Sequence, residues 1–152
     1  MMKEIHEQPK AVEDTLNSVL QDGSLNLEEM GFTEEIINNI SCIYIVACGS
    51  AWHVGMTAQY VIEDMAGIPV RVEVASEFRY RKPLLDKNGL VIIISQSGET
   101  ADSLAALREA KEKGVRTLAV VNVVGSSIAR EADHVFYTLA GPEISVATTK
   151  AY

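Results

Sequence analysis

The chain has 152 residues, of which 47% are hydrophobic and 22% charged, and this composition fits one globular domain with a sizeable core. Its formal net charge of −8 and its pI near 4.8 make nucleic acid and anionic membrane surfaces poor partners. No apolar run approaches the roughly 20 residues that span a bilayer, and residues 1–7 lack the apolar centre of a signal peptide. We therefore expect a cytoplasmic location.

Two helical segments precede the main repeating pattern. Residues 2–22 are predicted to form an amphipathic helix ended by Gly23, because apolar side chains recur near helical spacing. A short helix is predicted at about 33–40, with Thr33 as its N-cap. We expect residues 1–40 to form an N-terminal helical segment that packs on the remaining domain, residues 41–152. The first helix is also a candidate interface for a homodimer.

From residue 41 onward, short apolar runs alternate with helical stretches. Helices are predicted at about 51–66, 101–113 and 126–131, and strands at 43–47, 70–74, 90–94, 117–121 and 135–138. Uniformly apolar strands indicate burial on both faces, hence a parallel sheet with helices on each side. The predicted fold is α/β: a three-layer, doubly wound, five-stranded parallel sheet with N-terminal helices.

Ligands of such sheets bind at a topological switch point, beyond the carboxyl ends of the strands. In the flavodoxin-like strand order 2-1-3-4-5, the switch lies between the first and third predicted strands. Those strands end in Cys48-Gly49-Ser50 and in the loop 95–100, the two loops richest in glycine and small polar residues. This agreement between topology and composition predicts a binding site there.

The loop Ser95-Gln96-Ser97-Gly98-Glu99-Thr100 joins a buried strand to a helix. Its three hydroxyl groups can donate hydrogen bonds, and its glycine would let the backbone approach a ligand closely. The helix that follows offers unpaired amides and a positive dipole end, so the loop is predicted to bind phosphate without lysine or arginine. Ordinary N-capping of that helix by one hydroxyl is the alternative. The Walker, dinucleotide-binding and nucleophile-elbow patterns are absent.

Several polar residues have more modest interpretations. Ser50 could donate to a ligand or cap the helix that follows it, and Ser126 is interpreted as a plain N-cap of a short helix. Cys48 is interpreted as a small buried group, because no activating base can be assigned to it. Its spacing from Cys42 is neither CxxC nor a metal-ligand pattern, so both thiols are expected to be reduced. With three scattered histidines, we expect no metal site and no cofactor.

Two further segments are harder to interpret. Glu77-Phe78-Arg79-Tyr80-Arg81 suits an interface, although solvated charges around a buried Phe78 are an equal alternative. Residues 140–152 look like a loop and a helix start that stops without a helix, with Thr148 or Thr149 placed as its cap. We therefore expect the chain to be a fragment of a longer protein.

Several motifs in order resemble a family of enzymes. They are Cys48-Gly49-Ser50, VASEFRYR at 74–81, SQSGETAD at 95–102 and EISVATTKA at 143–151. Together they resemble the first sugar isomerase (SIS) domain of the glucosamine-6-phosphate synthases, also called glutamine–fructose-6-phosphate aminotransferases (isomerizing). Residues 2–9 resemble the segment that leads from the family's glutaminase domain into its isomerase half. The resemblance runs over nearly the whole chain.

The resemblance implies binding of fructose 6-phosphate, which the family converts with glutamine to glucosamine 6-phosphate and glutamate in amino-sugar biosynthesis. It implies that the loop 95–100 holds the phosphate and nearby sugar oxygens, while two other segments line the sugar. The implied substrate-binding residues are Cys48, Gly49, Ser50, Ser95, Gln96, Ser97, Thr100, Val146, Ala147 and Thr148. Serine at 50 replaces the family's usual threonine, and threonine at 148 its usual serine, so both positions keep a hydroxyl.

The resemblance implies no catalytic residue in this chain. The family's glutaminase domain supplies a cysteine nucleophile, and its second SIS domain supplies the acid/base glutamate, the ring-opening histidine and the lysine that engages the open-chain sugar. None of these maps here, and Lys150 belongs to the first-domain motif. We expect weak binding without catalysis, with the glutaminase domain, the second SIS domain and a second copy as partners.

Three other functions are open at this point. The chain could be a non-catalytic phosphosugar sensor, although residues 1–40 are acidic and offer no basic DNA-binding helix. It could be a related phosphosugar isomerase or deglycase, although residues 2–9 and 77–81 resemble the synthases more closely. It could also have a structural or assembly role, with the first helix as interface.

Overall fold

The structure is a computed structural model that describes residues 1–25 and 27–152. Its first elements are α1 (Met2–Asn17), β1 (Leu20–Gln21), β2 (Ser24–Leu25), a 3₁₀ helix (Glu28–Met30) and α2 (Glu34–Asn38). The prediction of one helix over 2–22 is wrong beyond residue 17. Asp22 and Gly23, with φ of 50° and 79°, instead form the turn of a small hairpin. Thr33 caps α2 as predicted, accepting a hydrogen bond from the Ile36 amide at 3.3 Å.

Five parallel strands form the main sheet, in the order β4-β3-β5-β6-β7. They are β3 (Ile43–Ala47), β4 (Val70–Val74), β5 (Leu90–Ser95), β6 (Arg116–Val121) and β7 (His134–Tyr137). Counted from the first strand of this sheet, the order is 2-1-3-4-5, as predicted. The α/β fold is therefore confirmed, and the switch point lies between β3 and β5.

Helices cover both faces of the sheet. They are α3 (Gly49–Ala66), α4 (Ala75–Tyr80), α5 (Ala101–Glu112) and α6 (Ser127–Glu131). Successive strand residues point to opposite faces. Val46 and Ile93 therefore belong to a cluster with residues of α4, α5 and α6, whereas Ile45 and Ile94 pack with α3 and with Phe32 of the N-terminal segment. The two clusters confirm the three-layer arrangement.

Residues 77–80 lie in helix α4, and Arg81 follows at its C-terminal end. Phe78 is fully buried, while Arg79 forms an ion pair with Asp102 at 3.0 Å and Arg81 pairs with Glu73. Of the two alternatives given for residues 77–81, the chain thus shows the second, charged side chains at the surface around a buried Phe78. The sequence did not predict this helix.

Residues 138–152 follow β7 as an irregular segment that returns along α1. The carboxylate of Glu4 accepts hydrogen bonds from the amides of Ile144, at 2.6 Å, and Ser145, at 3.2 Å. Lys150 is buried and forms an ion pair with Glu7 at 2.7 Å. Helix α1 therefore holds the segment that reaches the site described below, while a domain boundary at residue 40 stays a prediction. Among the described residues, no helix is long and apolar enough to cross a membrane.

Candidate functional site

The candidate site lies where β3 and β5 end side by side. Ala47 pairs with Ile94 in the register of the sheet, so the loops that follow the two strands leave at the same edge. A cavity of about 250 Å³ opens there. It is lined by Cys48, Gly49, Ser50, Ala51, Ile94, Ser95, Gln96, Ser97, Thr100, Val146, Thr148 and Tyr152. Nine of the ten predicted substrate-binding residues are in this set, and the tenth, Ala147, is exposed beside it.

The hydroxyl groups of the loop 95–100 are partly occupied by the loop itself. Ser95 Oγ accepts a hydrogen bond from the Gly98 amide at 3.1 Å and shares another with Thr100 Oγ1 at 3.1 Å. Ser97 Oγ accepts from the Glu99 amide at 3.2 Å. A hydroxyl has one proton to donate, so Ser97 keeps its own and the Ser95–Thr100 pair keeps one more. Two hydroxyl protons are left to donate to a ligand.

Helix α5 contributes main-chain donors at the same place. Thr100 occupies its N-cap position, but the threonine side chain makes no capping hydrogen bond. The first amides of an α-helix have no intrahelical partner, and the helix dipole adds positive potential at this end. Ordinary capping of this helix by one hydroxyl, the alternative to a phosphate site, is therefore not found at its N-cap residue. An anion at this end would meet donors that the protein has not used.

The capping role considered for Ser50 is also wrong. Helix α3 begins at Gly49, and Cys48 occupies its N-cap position without a side-chain capping bond. Ser50 therefore lies inside the first turn of α3, where it lines the cavity. Gly49 has a φ of 56°, a left-handed conformation that side-chain-bearing residues rarely adopt, so glycine suits this sharp start of the helix.

Gly98 is needed for a reason that the sequence did not suggest. It has a φ of 64°, and a Cβ built on it would lie 2.5 Å from Ser126 Cβ and 2.0 Å from Ser126 Oγ. A close approach to the start of α6 thus requires glycine here, and the close approach to a ligand stays a prediction. Ser126 is buried, and its hydroxyl caps nothing, contrary to prediction.

A second support of the loop was missed by sequence reasoning. Glu99 Oε1 accepts a hydrogen bond at 2.7 Å from the amide of Ser127. The carboxylate thus pairs with the first turn of α6, and this hydrogen bond lowers the pKa of Glu99. The carbonyls of Gly98 and Gln96 also accept hydrogen bonds, from Ile128 and Asn122. A carboxylate would repel an anion, so the presence of Glu99 in a loop predicted to bind phosphate was the one sign in the sequence that its side chain bonds elsewhere.

The terminal segment is organised by Glu143. Its Oε2 accepts a hydrogen bond from Thr148 Oγ1 at 2.6 Å. Its Oε1 accepts from the amides of Thr149 and Lys150, at 2.6 and 3.1 Å, and from Thr149 Oγ1 at 3.1 Å. Burial raises the pKa of Glu143. The hydrogen bonds together outweigh that effect, so the pKa is lower than the ordinary value. Residues 143–150 are thus closed into a compact turn beside the cavity.

Tyr152 is a further lining residue that the sequence did not suggest. Burial and the negative charge of Glu143 raise the pKa of its phenol. Its hydroxyl is buried and makes no hydrogen bond of ordinary geometry among the described residues, although the main chain of Gln96 lies close enough to lower the pKa of the phenol slightly. An unpaired buried hydroxyl is costly, so a ligand oxygen would be a favourable partner for it.

The cavity is polar but uncharged. None of the side chains that line it, among the described residues, carries a formal charge at neutral pH. Cys48 therefore has no carboxylate or imidazole side chain beside it in the lining. It was predicted to be a small buried group, and it is only partly buried, at the wall of the cavity. Among the described residues, no cluster of three or more His, Cys, Asp or Glu could hold a metal ion.

A wider cavity of about 650 Å³ opens at the other edge of the sheet, beside Thr33, Asn39, Lys87 and Arg116. It lies at the amino ends of the strands, away from the edge where such folds place ligands. Arg116 Nη1 is 3.1 Å from His134 Nε2 and is thereby already engaged. The cavity at the switch point therefore remains the candidate site.

Two curated proteins of similar sequence carry the same name. The chain is 60% identical over 153 residues to glutamine–fructose-6-phosphate aminotransferase (isomerizing) of Clostridium tetani, and 61% identical to the enzyme of that name from Clostridium acetobutylicum. Each alignment covers 100% of this chain and 25% of the relative. The chain thus spans about a quarter of the length of the curated relatives it matches.

A solved structure and a family match agree with this similarity. The C-terminal domain of glucosamine-fructose-6-phosphate aminotransferase from Francisella tularensis superposes with a TM-score of 0.91 at 46% identity, over 99% of this chain and 42% of that chain. The SIS domain family matches residues 36–152, which include every strand of the parallel sheet and every lining residue of the cavity. The resemblance inferred from the motifs is thereby confirmed, and the chain belongs to the SIS domain family.

Proposed function

We propose that this chain is the sugar-phosphate-binding domain of a glutamine–fructose-6-phosphate aminotransferase. The reaction would convert fructose 6-phosphate and glutamine to glucosamine 6-phosphate and glutamate, the first step of amino-sugar synthesis. The proposal rests on the identity to enzymes of that name over the whole chain. It rests equally on a cavity whose lining joins the ends of two strands to the terminal segment.

The observation that carries the proposal is the set of unused donors at one end of the cavity. Two hydroxyl protons of the loop 95–100 and the uncapped first turn of α5 converge there. Phosphate oxygens only accept hydrogen bonds, so this end suits the phosphate. The sugar would then extend toward Cys48, Gly49 and Ser50, with Val146, Ala147 and Thr148 on its other side.

The same cavity lacks the groups that the isomerization needs. Proton transfer between C1 and C2 requires a base within hydrogen-bond reach of those carbons. The described lining residues include no carboxylate, imidazole or lysine. We therefore propose that a second SIS domain of the parent protein supplies the acid/base groups and that a glutaminase domain supplies the nitrogen. The isolated chain would bind the substrate weakly and not convert it, and a cytoplasmic location remains part of the proposal.

A homodimer is proposed through α1. The side chains of Ile5, Val12 and Leu16 lie on this helix and are each about half exposed, at 50%, 55% and 50%. An exposed apolar helix face is typical of an interface. Sedimentation of the chain should give a dimer that Val12→Glu and Leu16→Glu convert to monomer, whereas a wild-type monomer would contradict this part of the proposal.

Binding can be tested by titrating the chain with fructose 6-phosphate, inorganic phosphate and fructose, with amide NMR shifts as readout. We expect fructose 6-phosphate to bind most tightly and to shift amides of residues 95–103 and 48–50. Ser97→Ala and Thr100→Ala should each weaken it by roughly 1–3 kcal/mol, because each removes a hydrogen bond to a charged group. Thr57→Ala is the matched control, since Thr57 is exposed on α3 and bonds only the His53 carbonyl. Unchanged affinity in both loop variants would contradict the proposed site.

Catalysis is tested separately. A coupled assay for glucosamine 6-phosphate with the purified chain, fructose 6-phosphate and glutamine should give no product. Product formation would overturn the assignment of the chemistry to other domains. Tight binding of a different phosphosugar in preference to fructose 6-phosphate would favour a related isomerase or a sensor.

A further inference from the structure

The turn formed by residues 143–150 contains an asymmetric set of hydrogen bonds. Three donors converge on one oxygen of Glu143, namely the Thr149 and Lys150 amides and the Thr149 hydroxyl. The other oxygen accepts a single hydrogen bond, at 2.6 Å, from the hydroxyl of Thr148. Thr148 lines the cavity, whereas Glu143 does not. The carboxylate therefore acts on the site only through its neighbour.

The hydroxyl of Thr148 has one proton, and the carboxylate of Glu143 can only accept it. That proton is directed away from the cavity, so the Thr148 oxygen presents only lone pairs to a ligand. It can accept a hydrogen bond but has none to donate. The side of the cavity beside Thr148 thus has the opposite polarity to the loop 95–100, where hydroxyl protons are unused.

We infer that Glu143 is a positioning residue that makes Thr148 an acceptor for a hydroxyl group of the bound sugar. This inference rests on the proposed function and adds an orientation to it. The dianionic phosphate ester of the sugar offers no proton, whereas the sugar hydroxyl groups do, so Thr148 favours the hydroxyl-bearing end of the ligand. The phosphate then binds at the loop 95–100, and the bound ligand has a single orientation in the cavity.

Glu143→Gln separates this role from a merely structural one. The three donors on Oε1 require an oxygen there, so the amide nitrogen must take the place of Oε2 and face Thr148. The amide then donates to the threonine, whose own proton turns toward the cavity. The turn keeps most of its hydrogen bonds, while the polarity presented to the ligand is reversed.

The test compares Kd values for fructose 6-phosphate and inorganic phosphate, measured by amide NMR titration of the 152-residue chain. We expect Glu143→Gln to weaken fructose 6-phosphate binding by about fivefold to tenfold, the loss of one hydrogen bond, and to leave phosphate binding unchanged. Thr148→Val should reproduce this selective loss, and Thr148→Ser should keep the wild-type values because it retains the hydroxyl. The two threonine variants keep the inference testable even if Glu143→Gln fails to fold.

Each outcome has a distinct meaning. Selective loss of sugar-phosphate affinity supports the inference. Equal weakening of both ligands shows a structural role of Glu143 and overturns it, as does an unchanged Kd for fructose 6-phosphate in Glu143→Gln and Thr148→Val. In those cases the proposed function stands, because the wild-type chain still binds the sugar phosphate. A wild-type chain that binds neither ligand overturns the proposed function and this inference together.

Discussion

Replacing Gly98 by alanine tests how the loop 95–100 is held against α6. The new Cβ would lie 2.5 Å from Ser126 Cβ and 2.0 Å from Ser126 Oγ. Rotation of the serine hydroxyl cannot relieve the first of these contacts, because Ser126 Cβ is fixed to the backbone that begins α6. The two backbones must therefore separate, and the hydrogen bond from the Ile128 amide to the Gly98 carbonyl, at 3.0 Å, opposes that separation.

Two costs contribute to the expected loss of stability. A left-handed conformation costs an alanine roughly 1–2 kcal/mol. Ordinary carbon contacts are about 3.5–4.0 Å, so the loop must retreat by about 1 Å, and such overpacking costs roughly 1–3 kcal/mol. The sum is about 2–5 kcal/mol. Gly114 is the matched control: its φ is 71°, but a Cβ added there meets nothing within 4 Å, so Gly114→Ala should show the conformational cost alone.

Urea unfolding of the variants gives the free energies, provided that the transitions are two-state. A double-mutant cycle with Ser126→Gly then isolates the clash, because that change deletes both atoms closer than 3 Å and leaves only an ordinary contact with Val121 Cγ1 at 3.5 Å. In the Ser126→Gly background, Gly98→Ala should cost no more than Gly114→Ala does in the wild type. Equal destabilisation by Gly98→Ala and Gly114→Ala in the wild-type background would refute the reasoning.

Two carboxylates beside the site allow further predictions. Glu99→Ala should weaken fructose 6-phosphate binding several-fold in an NMR titration, because the loop loses its hydrogen bond to Ser127, whereas Glu99→Gln keeps an acceptor oxygen and should retain most affinity. Equal effects of the two changes would show that the charge, not the hydrogen bond, matters. The pKa of Glu143 is lowered by folding, so its contribution to stability is present above its ordinary value of 4.5 and is lost as the pH falls below it. Urea midpoints measured against pH should therefore depend less on acid in Glu143→Gln than in the wild type, and parallel curves would contradict this assignment.

The two strands that flank the site, β3 and β5, were predictable because each is a compact apolar run followed by small polar residues. Strand β4 alternates apolar and charged residues instead. The hairpin β1–β2 and helix α4 were not predicted, for local reasons. The hairpin strands have two residues each, too few to show a period, and the apolar spacing of α1 continues into them. Helix α4 follows β4 without an intervening residue, so no turn residue separated the two elements.

The site was predictable only where it follows strand ends. The loops after β3 and β5 could be located from residue types and topology, whereas the terminal segment entered through resemblance to a family. The roles of Gly98 and Glu99 could not be predicted, because their contacts, Ser126 and Ser127, lie 28 residues along the chain. Local patterns of apolar and polar residues carry no information about which distant side chain fills a given space.

The largest apparent conflict is that a chain of net charge −8 should bind an anion through a neutral cavity. The conflict is resolved because the two carboxylates nearest the cavity accept hydrogen bonds from other parts of the protein and do not line it. Glu99 bonds the first turn of α6, and Glu143 bonds its own turn. The overall negative charge then acts on the ligand only from a distance, where salt screens it over about 8 Å at physiological ionic strength. Raising the salt concentration should therefore tighten fructose 6-phosphate binding modestly, whereas a site built on lysine or arginine would weaken. A clear loss of affinity with added salt would show that a cation reaches the phosphate and that neutral donors are not its principal partners.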